Sequence, residues 1–326
     1  MTADFLGPFA DDFQRFVAHK RALGRRYDNE VKTLQLFDRY LAHQNIVDRT
    51  QVTSDVVEVF LISRPRTAPR SYNHLLGVLN RCFAWLVVQG LLESSPVFSK
   101  PRRGTRQRVP FLFDQTQARR LLQVAAELPD NPRAVLRGPT YRMIFALLYG
   151  LGLRVGEVAR LCRNDVDFQN NLLVIKHTKF SKSRLVPFGP RMAQSLRDYT
   201  QGREQLMGES TPDSPLFSFS KGRHMNPGTI SQVFHALVPR LGLAIPTGVT
   251  PPRVHDLRHS FAVGTLRRWY RTGSDPAQRL HHLSTFLGHV QPESTAVYLT
   301  ITEDLLQEAS NRFAAFSAPA LAEVKP

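Results

Sequence analysis

The chain has 326 residues, enough for two domains that each bury a core of their own. Its 43 Lys and Arg stand against 27 Asp and Glu, a formal charge of +16 that no single tail holds, so folded segments carry an excess suited to a polyanion, nucleic acid before an acidic membrane surface. No apolar run reaches the ~18 residues of a spanning helix, the first residues lack a basic region followed by an apolar one, and Cys82 and Cys162 sit in apolar helical contexts that suit reduced, buried thiols; a soluble, cytoplasmic protein with no membrane association is expected.

From residue 5 to about 96 the pattern is helical. Phe9, Phe13 and Phe16 recur at helical spacing, as do Leu34, Phe37 and Leu41, then Val57, Phe60 and Leu61, and last Leu75, Leu76, Leu79, Phe83 and Leu86 before a stop at Gly90. This predicts a bundle of four or five helices whose polar faces bear arginines, Arg70 and Arg81 among them, as candidate DNA contacts. Residues 99–110 change character: Lys100, Arg102, Arg103, Arg106 and Arg108 are five cations with no acid and no apolar periodicity. A neutral tether would favour Gly and Ser, so this strap is expected to lie against phosphates.

Beyond the strap, Asp114 is a plausible N-cap for a helix, and an apolar helix over 141–149 is halted by Gly150-Leu151-Gly152. Arg154 follows that turn at the start of a further helix, whose free N–H groups favour an anion, and Glu157 lies one turn on to hold the guanidinium. The period then falls to two, predicting strands near 165–168, 172–176 and 184–188. Their second connection is a polar tip carrying Lys179, with Lys176 and Lys182 as rivals for any catalytic lysine. On a helix after Pro252, His255 and Arg258 lie three apart on one face, while His259 is assigned to packing. Leu287-Gly288-His289 leads to a helix start at Ser294-Thr295 and to Tyr298; an amphipathic helix over 299–316, with Leu305, Leu306, Phe313 and Phe316, ends the chain.

The ordered set Gly152-Leu153-Arg154-Val155-Gly156-Glu157, Lys179 on a hairpin, His255-Asp256-Leu257-Arg258-His259, Leu287-Gly288-His289 and Tyr298 resembles the tyrosine recombinase (phage integrase) family, including the nine-residue step from His289 to Tyr298. The resemblance implies a mainly α chain with a small antiparallel β-sheet (α+β): a helical core-binding domain over 1–98, the basic linker 99–110, and a catalytic domain over 111–326. It implies that Tyr298 attacks a DNA phosphodiester to give a 3′-phosphotyrosyl bond. Arg154, Arg258 and His289 would stabilise the phosphorane oxygens, Lys179 would protonate the leaving 5′ oxygen, and His255 would assist proton movement. The bond energy is conserved, so no cofactor, ATP or metal is needed. Implied partners are double-stranded DNA and sister subunits, as a homotetramer on paired sites or mixed with related recombinases, in a bacterial, nucleoid-associated protein. The tail beyond Tyr298 would pack in trans on a neighbour. One departure stands out: many members read Gly-Lys-Gly where Thr178 and Phe180 flank Lys179. A longer, charged segment over 269–282 looks more like recombinases of mobile elements. A type IB topoisomerase, or a DNA-binding protein with a disused site, are the other classes this residue set allows.

Overall fold

The computed structural model describes residues 5–64, 66, 68–104, 109–176, 183–208, 211–219, 222–289, 293–296, 298 and 310. The chain divides into two units, Met1–Gln107 and Arg108–Pro326, with the division inside the basic strap.

Among the described residues of the first unit there are four α-helices: α1 (Ala10–Ala22), α2 (Asp28–His43), α3 (Ser54–Ser63) and α4 (Pro69–Val88). The aromatic spacing decides how they meet. Phe37 of α2 lies edge-on to Phe60 of α3 at 4.9 Å and to Phe83 of α4 at 5.9 Å, and Phe9 meets Phe83 at 5.5 Å. Local chemistry fixes the helix ends: Thr53 Oγ1 accepts from Val56 N ahead of α3, and Pro69 opens α4 where its missing N–H costs nothing. Asp38 is buried yet satisfied, its oxygens accepting from the N–H groups of Leu6 and Gly7 at 2.7 and 2.8 Å. Arg70 and Arg81 are exposed on α4.

The start of the strap is held by this unit. The Arg102 guanidinium lies 4.0 Å from the Tyr72 ring centroid and donates to Arg66 O, while Asn73 brackets the Arg102 backbone with two hydrogen bonds of 2.8 Å. Arg102 is therefore partly committed to its own domain, whereas Lys100 and Arg103 are exposed. Arg106 and Arg108 lie outside the described residues.

In the second unit Asp114 caps α5 (Gln115–Ala126) through a reciprocal box with Gln117. The apolar helix α6 (Arg137–Gly150) runs through the core, where Phe145 and Leu147 are fully buried. A single turn, α7 (Val155–Val158), precedes an antiparallel sheet of β1 (Val166–Asp167), β2 (Leu172–Ile175) and β3 (Arg184–Pro187) in the order β1-β2-β3. Leu173 opposes Val186 and Ile175 opposes Arg184, so Leu173, Ile175 and Val186 point to the core. Among the described residues, helices α8 (Pro190–Met207), α9 (Pro227–Leu237), α10 (Asp256–Arg271), α11 (Pro276–Leu287) and the short α12 (Glu293–Ala296) follow. Ser260 of α10 ties the chain's entry into this unit, its hydroxyl accepting from Phe113 N at 2.8 Å.

Cys82 is buried, as expected, but Cys162 is only partly covered and precedes a 3-10 turn instead of lying in a helix. No helix among the described residues is long and apolar enough to cross a membrane, and none of their His, Cys, Asp and Glu groups form a metal-binding cluster. The 299–316 helix falls outside the described residues except Ser310, which is helical.

Candidate active site

Two glycine turns bring the site together. Gly152 has φ +60°, and a Cβ there would stand 2.5 Å from Phe261 Cδ1 and 3.0 Å from Leu287 Cδ2, so only glycine lets this turn close on α10 and the end of α11. Its carbonyl accepts from Arg258 Nη1 at 2.7 Å, and Arg258 Nη2 donates to Leu287 O at 2.7 Å. Arg258 is thereby fully buried yet satisfied. Burial, and then the charge of Arg154, draw its pKa down to about 10, which leaves it a cation at neutral pH.

Arg154 immediately precedes α7. Its Nη2 donates to Gly288 O at 2.8 Å and its Nη1 to Glu157 Oε1 at 2.8 Å. Arg154 N donates to Glu157 Oε2 at 2.9 Å, so the Glu157 side chain folds back over the start of this four-residue helix. Glu157 is not half of a surface ion pair. It is 4% exposed and is shared with a second arginine, Arg184 of β3, whose Nη1 and Nη2 donate to its two oxygens at 2.8 and 2.9 Å. Burial pushes the Glu157 carboxyl up, but the hydrogen bonds and charge of Arg184, with those of Arg154, outweigh it and bring its pKa from 4.5 down to about 2.

From sequence, Arg184 is visible only as part of a strand. It also donates from Nε to Phe286 O at 2.8 Å, so it joins the sheet, α7 and the turn after α11. A signal is present: it falls in phase with the inward Val186, and an arginine on the buried face of a strand needs partners.

Two histidines touch Tyr298, and a third, His255, stands against one of them. His289 stacks on the phenol ring at 6.2 Å between centroids, and its Nε2 stands 3.0 Å from Arg258 Nη2. A guanidinium only donates, so that Nε2 accepts, and the Nδ1 proton goes to Thr295 Oγ1 at 2.7 Å. His259 corrects the sequence reading. Its Nδ1 lies 3.1 Å from Tyr298 Oη, and its ring meets that of His255 edge-on at 4.7 Å. The reason is helical spacing: His259 is four residues from His255 and shares its face, a relation that the pairing of His255 with Arg258 obscures.

Tyr298 itself is 3% exposed, and burial raises its pKa against the opposing charge and hydrogen bond of Arg258. Burial, followed by neighbouring positive charge, lowers the pKa of His255, His259 and His289 to about 4, so all three are neutral at pH 7. His255 keeps an exposed face toward solvent. Lys179 and its rival Lys182 lie outside the described residues. Lys176 is paired with Asp165 at 2.6 Å, which occupies its ammonium elsewhere.

Arg154, Arg258, His255, His289, Glu157 and Tyr298 thus meet in one place, with Arg184, His259 and Thr295 added by the structure. Such an array can hold a doubly liganded anion beside a phenol.

Comparison with known proteins gives this array a family. The phage integrase family matches residues 112–304. A Sinorhizobium fredii protein named as an integrase/recombinase, y4rB, is 34% identical over 94% of this chain and 97% of its own length. The tyrosine recombinase XerC of Oceanobacillus iheyensis is 29% identical, covering 85% of each chain. Among solved structures the Tn1549 transposon integrase, in complex with transposon right end DNA, shares the fold with a TM-score of 0.63, at 18% identity over 96% of this chain and 100% of that one. The chain belongs to the phage integrase family. It is a site-specific tyrosine recombinase, an enzyme that breaks and rejoins DNA.

Proposed function

We propose that Tyr298 is the nucleophile of this recombinase and that the residues gathered around it divide the work of one phosphoryl transfer. The observation that carries this reading is the convergence of Tyr298 with Arg258, His259 and His289 around a single phenol. Oη attacks the scissile phosphorus and the 5′ oxygen departs, leaving a 3′-phosphotyrosyl bond that a 5′-hydroxyl later reverses; no nucleoside triphosphate is consumed. Arg154 and Arg258 neutralise the non-bridging oxygens as charge grows on them. To donate as well, His289 must give its Nε2 a proton, which its bond to Thr295 allows by a change of tautomer. Lys179 protonates the leaving oxygen, and Glu157 holds Arg154 in register.

The substrate is double-stranded DNA, supported by the +16 charge and by the exposed Lys100, Arg103, Arg70 and Arg81. Arg102, Arg106 and Arg108 complete the basic set we assign to phosphate contact. Residues 1–98 act as the core-binding domain, 99–110 as the linker and 111–326 as the catalytic domain. Exchange of two duplexes calls for four subunits, a homotetramer or a mixed assembly with related recombinases, on the bacterial nucleoid. The likeness to a transposon integrase and to y4rB favours service to a mobile element. The test is Tyr298→Phe on suicide substrates: it removes one oxygen, so covalent attachment should vanish while affinity stays. An adduct in that variant would move the nucleophile elsewhere.

A further inference from the structure

The resemblance gives His255 a part in proton movement, but which atom takes the phenolic proton is left open. A tyrosine hydroxyl titrates near 10 and burial raises this one further, so attack at neutral pH needs an acceptor for its proton. Three imidazoles are near. His289 has both ring nitrogens committed, to Arg258 and to Thr295. His255 meets the phenol only through His259, against which its ring stands edge-on. The imidazole nitrogen within hydrogen-bonding distance of Oη is His259 Nδ1, at 3.1 Å. Arg258, which can only donate, also bonds toward Oη, so the hydroxyl's own proton is left to point at Nδ1.

We infer that His259 is a catalytic residue of this site, its Nδ1 accepting the Tyr298 proton as Oη bonds to phosphorus and returning it when the phosphotyrosyl bond is broken. The inference rests on Tyr298 being the nucleophile. In cleavage the Oη–P bond forms and the P–O5′ bond breaks; the phenolic proton moves to Nδ1, and the 5′ oxygen takes a separate proton from the general acid assigned to Lys179. In ligation each transfer reverses. The groups facing His259 are Arg253, Arg258, the neutral His255 and Tyr298; burial first, and then the charges of the two arginines, keep its imidazole unprotonated in the free protein.

The test separates proton acceptance from mere contact. His259→Asn sets an amide oxygen near the position of Nδ1, able to accept the hydrogen bond but not to keep the proton; His259→Ala removes both. On suicide substrates both variants should form the covalent adduct about 10²–10⁴ times more slowly, the range of general base catalysis. A substrate with sulfur in place of the bridging 5′ oxygen has a leaving group that needs no proton. It should restore Lys179→Ala and leave both His259 variants slow. If His259→Asn cleaves at the wild-type rate, His259 only positions the tyrosine; if the sulfur substrate restores it, the proton serves the leaving group, and either result overturns the proposal. Tyr298→Phe run alongside reports separately on the nucleophile. A measurement on the unaltered protein guards against variants that do not fold: histidine ¹⁵N spectra should place the His259 proton on Nε2, and a proton found on Nδ1 refutes the assignment.

Discussion

Replacing Glu157 by Gln keeps the shape of the side chain and removes the charge that two arginines share. One end of the amide then turns an N–H₂ toward guanidinium donors that now sit on oxygens at 2.8 and 2.9 Å. The carboxyl is 4% exposed, so solvent screens little of the loss. Its pKa falls from 4.5 to about 2, a gap worth about 3 kcal/mol at ~1.4 kcal/mol per pH unit. That matches the ~3–5 kcal/mol expected when one partner of a buried ion pair is removed. A domain of this size should lose roughly 6–12 °C in Tm. The sign fixes the pH dependence. A depressed folded-state pKa contributes stability in full above about 4.5, and that contribution drains away as the pH falls toward 2. Calorimetry of the full chain and of Glu157→Gln should therefore show a large gap at pH 7 that shrinks by more than half at pH 3. A gap under about 2 °C at pH 7, or one that does not change with pH, would refute the account of Glu157 as the shared anion of a buried cluster.

Arg154→Ala and Arg258→Ala should each lower cleavage by about two orders of magnitude or more, read as the rate of adduct formation; rates within a few-fold of wild type would make these arginines structural. The salt dependence of binding to a single site counts phosphates neutralised. Removing the charges of Lys100, Arg103, Arg106 and Arg108 together should flatten the slope by roughly 0.9 for each phosphate no longer neutralised, with Arg102→Ala adding less because its guanidinium is held at Tyr72 and Arg66 O. An unchanged slope would reduce the strap to a tether.

Much of this is legible in the sequence because helical and strand periodicity carry burial directly. The phenylalanines of the first unit and the alternation around Leu173 and Val186 settle into the cores they predict. Arg154, Arg258, His255, His289 and Tyr298 are found by spacing and resemblance, which register types of residue in order. What spacing does not register is who shares a partner. Arg184 and Glu157 are 27 positions apart and meet only because β3 runs back beside α7. His259 is overlooked when its neighbour in sequence, Arg258, is given the face; on a helix the relevant neighbour is four residues away.

A single device underlies the site. Each of its three arginines docks on a main-chain carbonyl: Arg258 on Gly152 and Leu287, Arg154 on Gly288, Arg184 on Phe286. Carbonyls impose no charge of their own, so a guanidinium held this way is fixed in direction while keeping most of its field for an incoming anion. Glu157 offsets one unit of that charge, at the face of the cluster where Arg154 and Arg184 meet. The glycines follow from the same geometry. Gly288 has φ +68°, and a Cβ there would lie 2.8 Å from Arg184 Nη1, so this glycine yields space to the arginine that ties the strand to the turn bearing His289. β3 and the start of α7 are therefore bound to one carboxylate through Arg184 and Arg154, and the same two arginines tie the turn before His289 to it through the carbonyls of Phe286 and Gly288.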